Sequence, residues 1–207
     1  MNSLSPVQRR IHQAAFRLFA DRGTEQVNIL ELAQEAGVAR GTVYSNIKNM
    51  ESLFKTIASY LAKEMHERVK SSVDEIPDPA ERLANGIRFF IRRAHEEPQW
   101  GVFMHRFAMS NSSLREMFIS QATLDLLAGL SHGRYSFRQE QLLSVLTLIS
   151  SSVLGSIFLV IEGRRTWRDA GSDTAEFVLR ALGVGSEQAK ILATRDLPPL
   201  PSPAESY

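Results

Sequence analysis

The chain has 207 residues, enough for one large or two small domains, and its 43% hydrophobic content allows a sizeable core. A formal net charge of +1 excludes a surface that binds polyanions by bulk charge, so any phosphate contact must come from positioned residues. The absence of cysteine excludes disulfide scaffolds and cysteine metal sites, and it suits a reducing compartment.

The first predicted helix begins at Ser5-Pro6-Val7-Gln8, which combines a serine cap, a proline at the first helical position and a glutamine that closes a capping box. Ile11, Ala14, Ala15, Leu18 and Phe19 form its buried stripe, and Gly23 ends it. Nothing before it resembles the apolar core of a signal peptide, so a cytoplasmic location is expected. Arg9, Arg10 and Arg17 are open to two readings, phosphate contacts or plain solvated arginines.

Two short helices follow around a tight turn. Asn28 with Glu31 makes a second capping box, and Ile29, Leu32, Ala33 and Ala36 fall on one helical face. Gly37 is placed to take the left-handed conformation that ends a helix. Arg40 to Ile47 is the second helix, with Val43 and Ile47 inward and Arg40, Thr42, Tyr44, Ser45 and Asn46 outward. This is either an ordinary helical hairpin or a helix-turn-helix, whose second helix enters the DNA major groove. The outward face carries no acid, which favours the latter. From Met1 to Lys55 there are seven Lys/Arg against five Asp/Glu, a mild basic bias of +2.

From Asn49 the apolar pattern lengthens through Leu53, Ile57, Tyr60, Leu61 and Met65, predicting a helix to about Asp74. Pro77 and Pro79 stop it, and Asp78-Pro79-x-Glu81, with a cap, a proline and a capping-box acid together, starts another that runs to Pro98. Trp100 to Met117 is rich in large soft side chains, suited to plain core or to an adaptable apolar pocket. Gln141 to Ile161 carries no charge over about the length that spans a bilayer, yet its serines dilute the hydrophobicity. A central buried helix is the preferred reading. The small pairs Ser151/Gly155 and Ser152/Ser156, four apart, would let another helix approach. Helices at about Ser172–Leu182 and Ser186–Thr194 follow, and the proline-rich tail from Leu197 is expected to be extended or disordered.

Between Arg9 and Leu53 the chain resembles the DNA-binding domain of the TetR family of bacterial transcriptional repressors. The resemblance is carried by Ile11, Ala14, Ala15, Leu18, Phe19 and Gly23, then Leu32-Ala33, Ala36-Gly37-Val38, Gly41-Thr42-Val43-Tyr44 and Glu51-x-Leu53. It implies an all-α fold: a three-helix helix-turn-helix domain at 1–48, a larger helical ligand-binding and dimerisation domain at 49–196, and a tail at 197–207. It implies a homodimer on double-stranded operator DNA, released by a small apolar or amphipathic effector, with no cofactor, no membrane and no enzymatic activity. Arg40 is the candidate base reader, since arginine pairs bidentately with guanine, and Ser45 and Asn46 are candidates for further contacts. Gly41 belongs to the motif, Thr42, Tyr44 and Lys48 are carried over as phosphate contacts, and Asn28 stands where the family caps its helix and touches phosphate. The pocket candidates are Phe90, Trp100, Phe103, Met104, Phe107, Met117 and Phe158. Ser151, Ser152, Gly155, Ser156 and Phe177 are expected at the four-helix dimer interface. Ile47, Asn49 and Met50 depart from the family pattern, and Ala39 stands where a hydroxyl cap is common, a loss of about 1 kcal/mol.

Two other classes stay open: a helical small-molecule binder that has lost operator recognition, and, more remotely, a membrane-attached helical adaptor. Gly129-Leu130-Ser131-His132-Gly133 matches the nucleophile-elbow pattern of hydrolases, but the strand it requires is not predicted. The histidines are scattered and form no H-E-x-x-H; for His105, in the Met-rich region, a hydrogen-bonded interior role is preferred over binding a ligand or a metal.

Overall fold

The computed structural model describes residues 4–201, and within them the chain is all helical: α1 Pro6–Arg22, α2 Ile29–Ala36, α3 Arg40–Asn46, α4 Met50–Val73, α5 Pro79–Glu96, α6 Pro98–Phe107, α7 Ser112–Ser131, α8 Leu142–Ile161, α9 Trp167–Ala181 and α10 Ser186–Thr194. Of the capping boxes read from the sequence, those at Ser5 and Asn28 form, while at Asp78 only the cap forms, its Oδ1 accepting from the Ala80 amide at 2.9 Å. Ser5 Oγ accepts from the Gln8 amide at 3.2 Å, and Asn28 Oδ1 accepts from the Leu30 and Glu31 amides at 2.9 and 3.0 Å. Gly37 takes φ 61°, where only glycine sits without strain, and so turns the chain from α2 into α3. Ala39, with no side-chain acceptor, leaves the start of α3 uncapped.

The Trp100–Met117 stretch falls on two helices: α6 ends at Phe107, and Asn111 Oδ1 caps α7 through the Leu114 amide. One predicted boundary shifts. Helix α9 begins five residues ahead of the predicted Ser172, where Thr166 Oγ1 accepts from the Asp169 amide at 3.1 Å. Its first turn, Trp167-Arg168-Asp169, shows no apolar period and so hides the start.

Helices α1 to α3 and the first half of α4 share a small core around Ile11, Phe19, Leu32, Val43 and Leu53. The larger unit is built around α5, whose residues Leu83 to Ile91 are mostly buried, with α4, α6, α7, α8, α9 and α10 packed about it. Among the described residues, α8 with the turn before it, Gln139–Ile161, is the one helix long and apolar enough to cross a membrane. One side of it, through Leu146, Ile149, Val153, Ile157 and Val160, is buried within the chain, while Leu143, Leu148 and Phe158 stay exposed. The hydrolase-like Gly129–Gly133 pattern falls on the end of α7 and the turn beyond, with no strand among the described residues. Gly129 serves packing: a Cβ there would run into the Tyr135 ring.

As far as it is described, the tail has no helix, as the extended reading has it, but it is laid against the domain. Leu197 and Leu200 pack on the core, and the carbonyls of Pro199 and Pro201 accept from Ser72 and Arg68 of α4 at 3.0 and 2.7 Å. The expected disorder at 202–207 lies outside the described residues.

Candidate functional site

The first candidate site is the outer face of α3. Val43 is fully buried and fixes the helix against its neighbours, which leaves Arg40, Gly41, Tyr44, Ser45 and Lys48 exposed and Thr42 and Asn46 half-buried. Arg40 folds onto Tyr44: a guanidinium nitrogen donates to the phenol oxygen at 3.1 Å, and the guanidinium carbon sits 5.5 Å from the ring centroid. Ser45 Oγ donates to the Gly41 carbonyl, and Asn46 Nδ2 donates to the Thr42 carbonyl, so both side chains are held along the helix. Asn28 stands exposed at the start of α2, its oxygen committed to the cap. Of the α1 arginines read as phosphate candidates, Arg9 is exposed, while Arg10 and Arg17 are engaged within the domain. Arg10 donates to the carbonyls of Ala36 and Gly37, closing the end of α2, and Arg17 pairs with Glu35. Met50 turns inward onto the core rather than toward the outer face.

The second candidate is a cavity of about 40 Å³ inside the larger unit, walled by α4, α5, α7 and α8. His66 and Val69 come from α4, Arg82, Leu83, Gly86, Ile87 and Phe90 from α5, Met117, Phe118, Gln121, Ala122 and Asp125 from α7, and Ile149 and Val153 from α8. Of the sequence candidates, Phe90 and Met117 line it. Phe90 stacks on Phe118 with ring centroids 4.6 Å apart. At the polar end, Arg82 Nε donates to Asp125 Oδ1 at 2.6 Å, and Gln121 Nε2 approaches both carboxylate oxygens at 3.4 Å. Burial lifts the Asp125 carboxyl above its ordinary range, against the opposing pull of Arg82 and Gln121. His66 Nδ1 lies 3.1 Å from Ser120 Oγ on the same flank.

The remaining pocket candidates are placed elsewhere. Phe103 and Phe107 join Phe16, Phe19 and Phe54 in an aromatic cluster between α1, α4 and α6, with centroid separations of 4.9 to 5.7 Å. Met104 is buried on the same helix, and Trp100 lies beneath the Arg93 guanidinium at 4.6 Å. Phe158 faces outward from α8 and stacks on His105, 5.0 Å away; His105 is exposed, not interior. Sequence reasoning missed Arg82, Gln121, Asp125 and His66. The one available signal was Asp125 itself, a lone acid in an uncharged run from Phe118 to Leu130.

Helix α4 is held by charge as well as by packing. Glu64 receives Arg93 at 2.5 Å and Arg68 at 2.8 Å, and Glu97 receives Arg93 at 3.1 Å, with both arginines and Glu64 largely withdrawn from water. Removing one member of such a buried set costs about 3–5 kcal/mol. On the far side, Ser151 and Gly155 of α8 are exposed, Ser152 is half-buried, and Ser156 turns toward α9, its Oγ 2.6 Å from Thr174 Oγ1. Phe177 of α9 is 63% exposed beside an open groove of about 360 Å³ that Leu148, Ser152 and Leu159 also line. No cluster of potential metal ligands occurs among the described residues.

Comparison with known proteins fits this arrangement. Residues 11–57 match the model of the bacterial regulatory proteins of the tetR family, and residues 78–195 match that of the tetracyclin repressor-like C-terminal domain. A fatty acid metabolism regulator protein of Bacillus subtilis is 28% identical over 133 residues, covering 63% of this chain and 69% of that protein. The crystal structure of RolR with resorcinol is 26% identical and superimposes with a TM-score of 0.73 over 94% of this chain and 96% of that one. The FadR regulator of Bacillus subtilis with stearoyl-CoA shares the fold at 20% identity, with a TM-score of 0.66 over 86% of this chain and 97% of that one. With a family model covering most of its length beyond α4 and another covering its helix-turn-helix, the chain belongs to the tetR family of bacterial transcriptional regulators, whose N-terminal domain binds DNA.

Proposed function

We propose that the protein is a cytoplasmic repressor that binds a near-palindromic operator as a homodimer and lets go when a small effector enters the α4–α5–α7–α8 cavity. One observation carries the reading. The cavity wall and the core beneath the recognition face share a single rigid element, α4, with His66 and Val69 at one end and Leu53 and Ile57 at the other. A ligand that needs more room than about 40 Å³ must move a wall, and α4 links that wall to α3.

On DNA, Arg40 leaves Tyr44 to pair with a guanine, Ser45 and Asn46 add contacts, and Thr42, Tyr44, Lys48 and Asn28 meet phosphates. The functional division runs at 1–48 for DNA and 49–196 for effector and dimer, with 197–207 as a tail. Two copies of α3 must lie roughly 34–36 Å apart to enter successive grooves. The dimer face is the exposed side of α8 and α9, including Ser151, Gly155 and Phe177, where a second copy would cover Leu143 and Leu148. An effector that binds the released form about 100-fold better would supply ~2.7 kcal/mol of bias. RolR and FadR, crystallised with resorcinol and stearoyl-CoA, support effector control in general.

The test is fluorescence anisotropy on the DNA flanking the protein's own gene, across a salt series. Specific binding that survives competitor DNA supports repression. A chain that binds no fragment specifically at any salt is instead a small-molecule binder that has lost operator recognition.

A further inference from the structure

We propose that the effector is a small uncharged aromatic compound bearing a hydroxyl donor, of the phenol and dihydroxybenzene class. The inference rests on the reading of the α4–α5–α7–α8 cavity as the effector site.

Charge comes first. Asp125 is 2% exposed, and among the described residues its close ion-pair partner is Arg82 at 2.6 Å. The two cancel, so the polar end is formally neutral. An added carboxylate would stand beside a buried carboxylate, and an added cation would face a guanidinium. A cation pays desolvation beside the guanidinium, and an anion pays it beside the carboxylate with only His66, already 3.1 Å from Ser120 Oγ, on the same flank to answer it.

Hydrogen-bonding capacity comes next. Arg82 occupies Asp125 Oδ1, while among the described residues Oδ2 receives only the 3.4 Å approach of Gln121, too long for a strong bond. A buried carboxylate oxygen without a good donor is costly, and a ligand O–H supplies what is missing.

Shape and size complete the argument. The stacked Phe90 and Phe118 rings make one wall flat, with Ile87 and Val153 nearby. A dry cavity of roughly 150 Å³ accepts benzene, so about 40 Å³ must widen to admit one ring. Met117, unbranched and flexible, is the side chain best able to yield. A long acyl chain would require the core to open far more. At Gly86, which lines the cavity, an added Cβ would meet no heavy atom within 4 Å. Alanine therefore fits the unliganded fold while taking up ligand space.

The experiment is isothermal titration calorimetry of the full chain with catechol, benzoate and stearoyl-CoA, on wild type, Gly86→Ala and Asp125→Asn, with thermal melts of each protein. We expect saturable catechol binding to wild type and none by the two anions. Gly86→Ala should weaken catechol by about tenfold or more with an unchanged or higher melting midpoint. Asp125→Asn unbalances Arg82, and should lose catechol while gaining benzoate. Wild type that binds benzoate or stearoyl-CoA, with loss in Gly86→Ala, overturns the neutral-ligand proposal and leaves the cavity reading intact. Catechol binding indifferent to Gly86→Ala places the ligand elsewhere and overturns the cavity reading itself. No catechol binding to wild type overturns the proposal.

Discussion

The Phe54 ring of α4 lies edge-on to the Phe107 ring of α6, with centroids 4.9 Å apart. Around this pair, Phe103 touches Phe16 of α1, and Arg106 of α6 donates to the Asp21 carbonyl at the end of α1 at 3.3 Å. Helices α4 and α6 thus both reach the DNA-binding unit, one as a continuous rod and the other through aromatic contact. Replacing Phe107 by alanine opens this joint. We expect a loss of about 3 kcal/mol in chemical denaturation and an altered operator affinity, although residue 107 touches neither DNA nor cavity. An unaltered affinity would show that the aromatic joint is structural only.

At the DNA face, two substitutions should separate base reading from phosphate contact. Arg40→Ala should cost ~1–3 kcal/mol of specific binding and flatten the preference among operator variants. Lys48→Ala should weaken all sequences alike and reduce the slope of log K against log salt by about 1. Equal loss on all sequences for Arg40→Ala would assign it to phosphate.

The α8–α9 face predicts an assembly defect. Phe177 is 63% exposed and Leu143 77%, more apolar surface than a lone chain keeps without reason. Phe177→Arg should convert dimers to monomers in sedimentation velocity at micromolar concentration, with helical content unchanged by circular dichroism. A Phe177→Arg protein that still sediments as a dimer would move the interface off this face.

Asp78 provides a pH signature. Burial alone would raise its carboxyl, but hydrogen bonds from Arg134 and the Ala80 amide, with the charges of Arg134 and Arg82, hold it below its ordinary value. The native state then binds fewer protons than the unfolded chain. The stabilisation is present above the unfolded value of about 3.9 and is lost as pH falls through the lower native value. Asp78→Asn keeps a cap and loses the ion pair, so it should cost up to ~1 kcal/mol at pH 7, with the gap closing toward pH 3. A gap independent of pH would mean that the ion pair contributes nothing.

The sequence was most legible where the signal is local. The caps at Ser5, Asn28 and Asp78 and the left-handed turn at Gly37 are read within four residues, and each forms. The start of α9 at Trp167 and the break after Phe107 were not legible, because caps at Thr166 and Asn111 sit among residues without apolar period. The cavity was harder still. Phe103 and Phe107 have the same chemistry as Phe90 and Phe118, and only helix crossing decides which ring meets the space and which meets α1. Arg82 and Asp125 are 43 positions apart, so their pairing is invisible until α5 and α7 are laid side by side.

The central claim is that filling the cavity changes the separation of two recognition helices. The chain has no cysteine, so Gln34→Cys on the exposed side of α2 gives one spin label per protomer. Pulsed electron–electron double resonance then measures the distance between the two labels in the dimer, first on operator DNA and then with saturating catechol. The account predicts a narrow distribution on DNA that shifts by several Å as catechol releases the operator. The same distribution in both states, with catechol bound and DNA released, would contradict it.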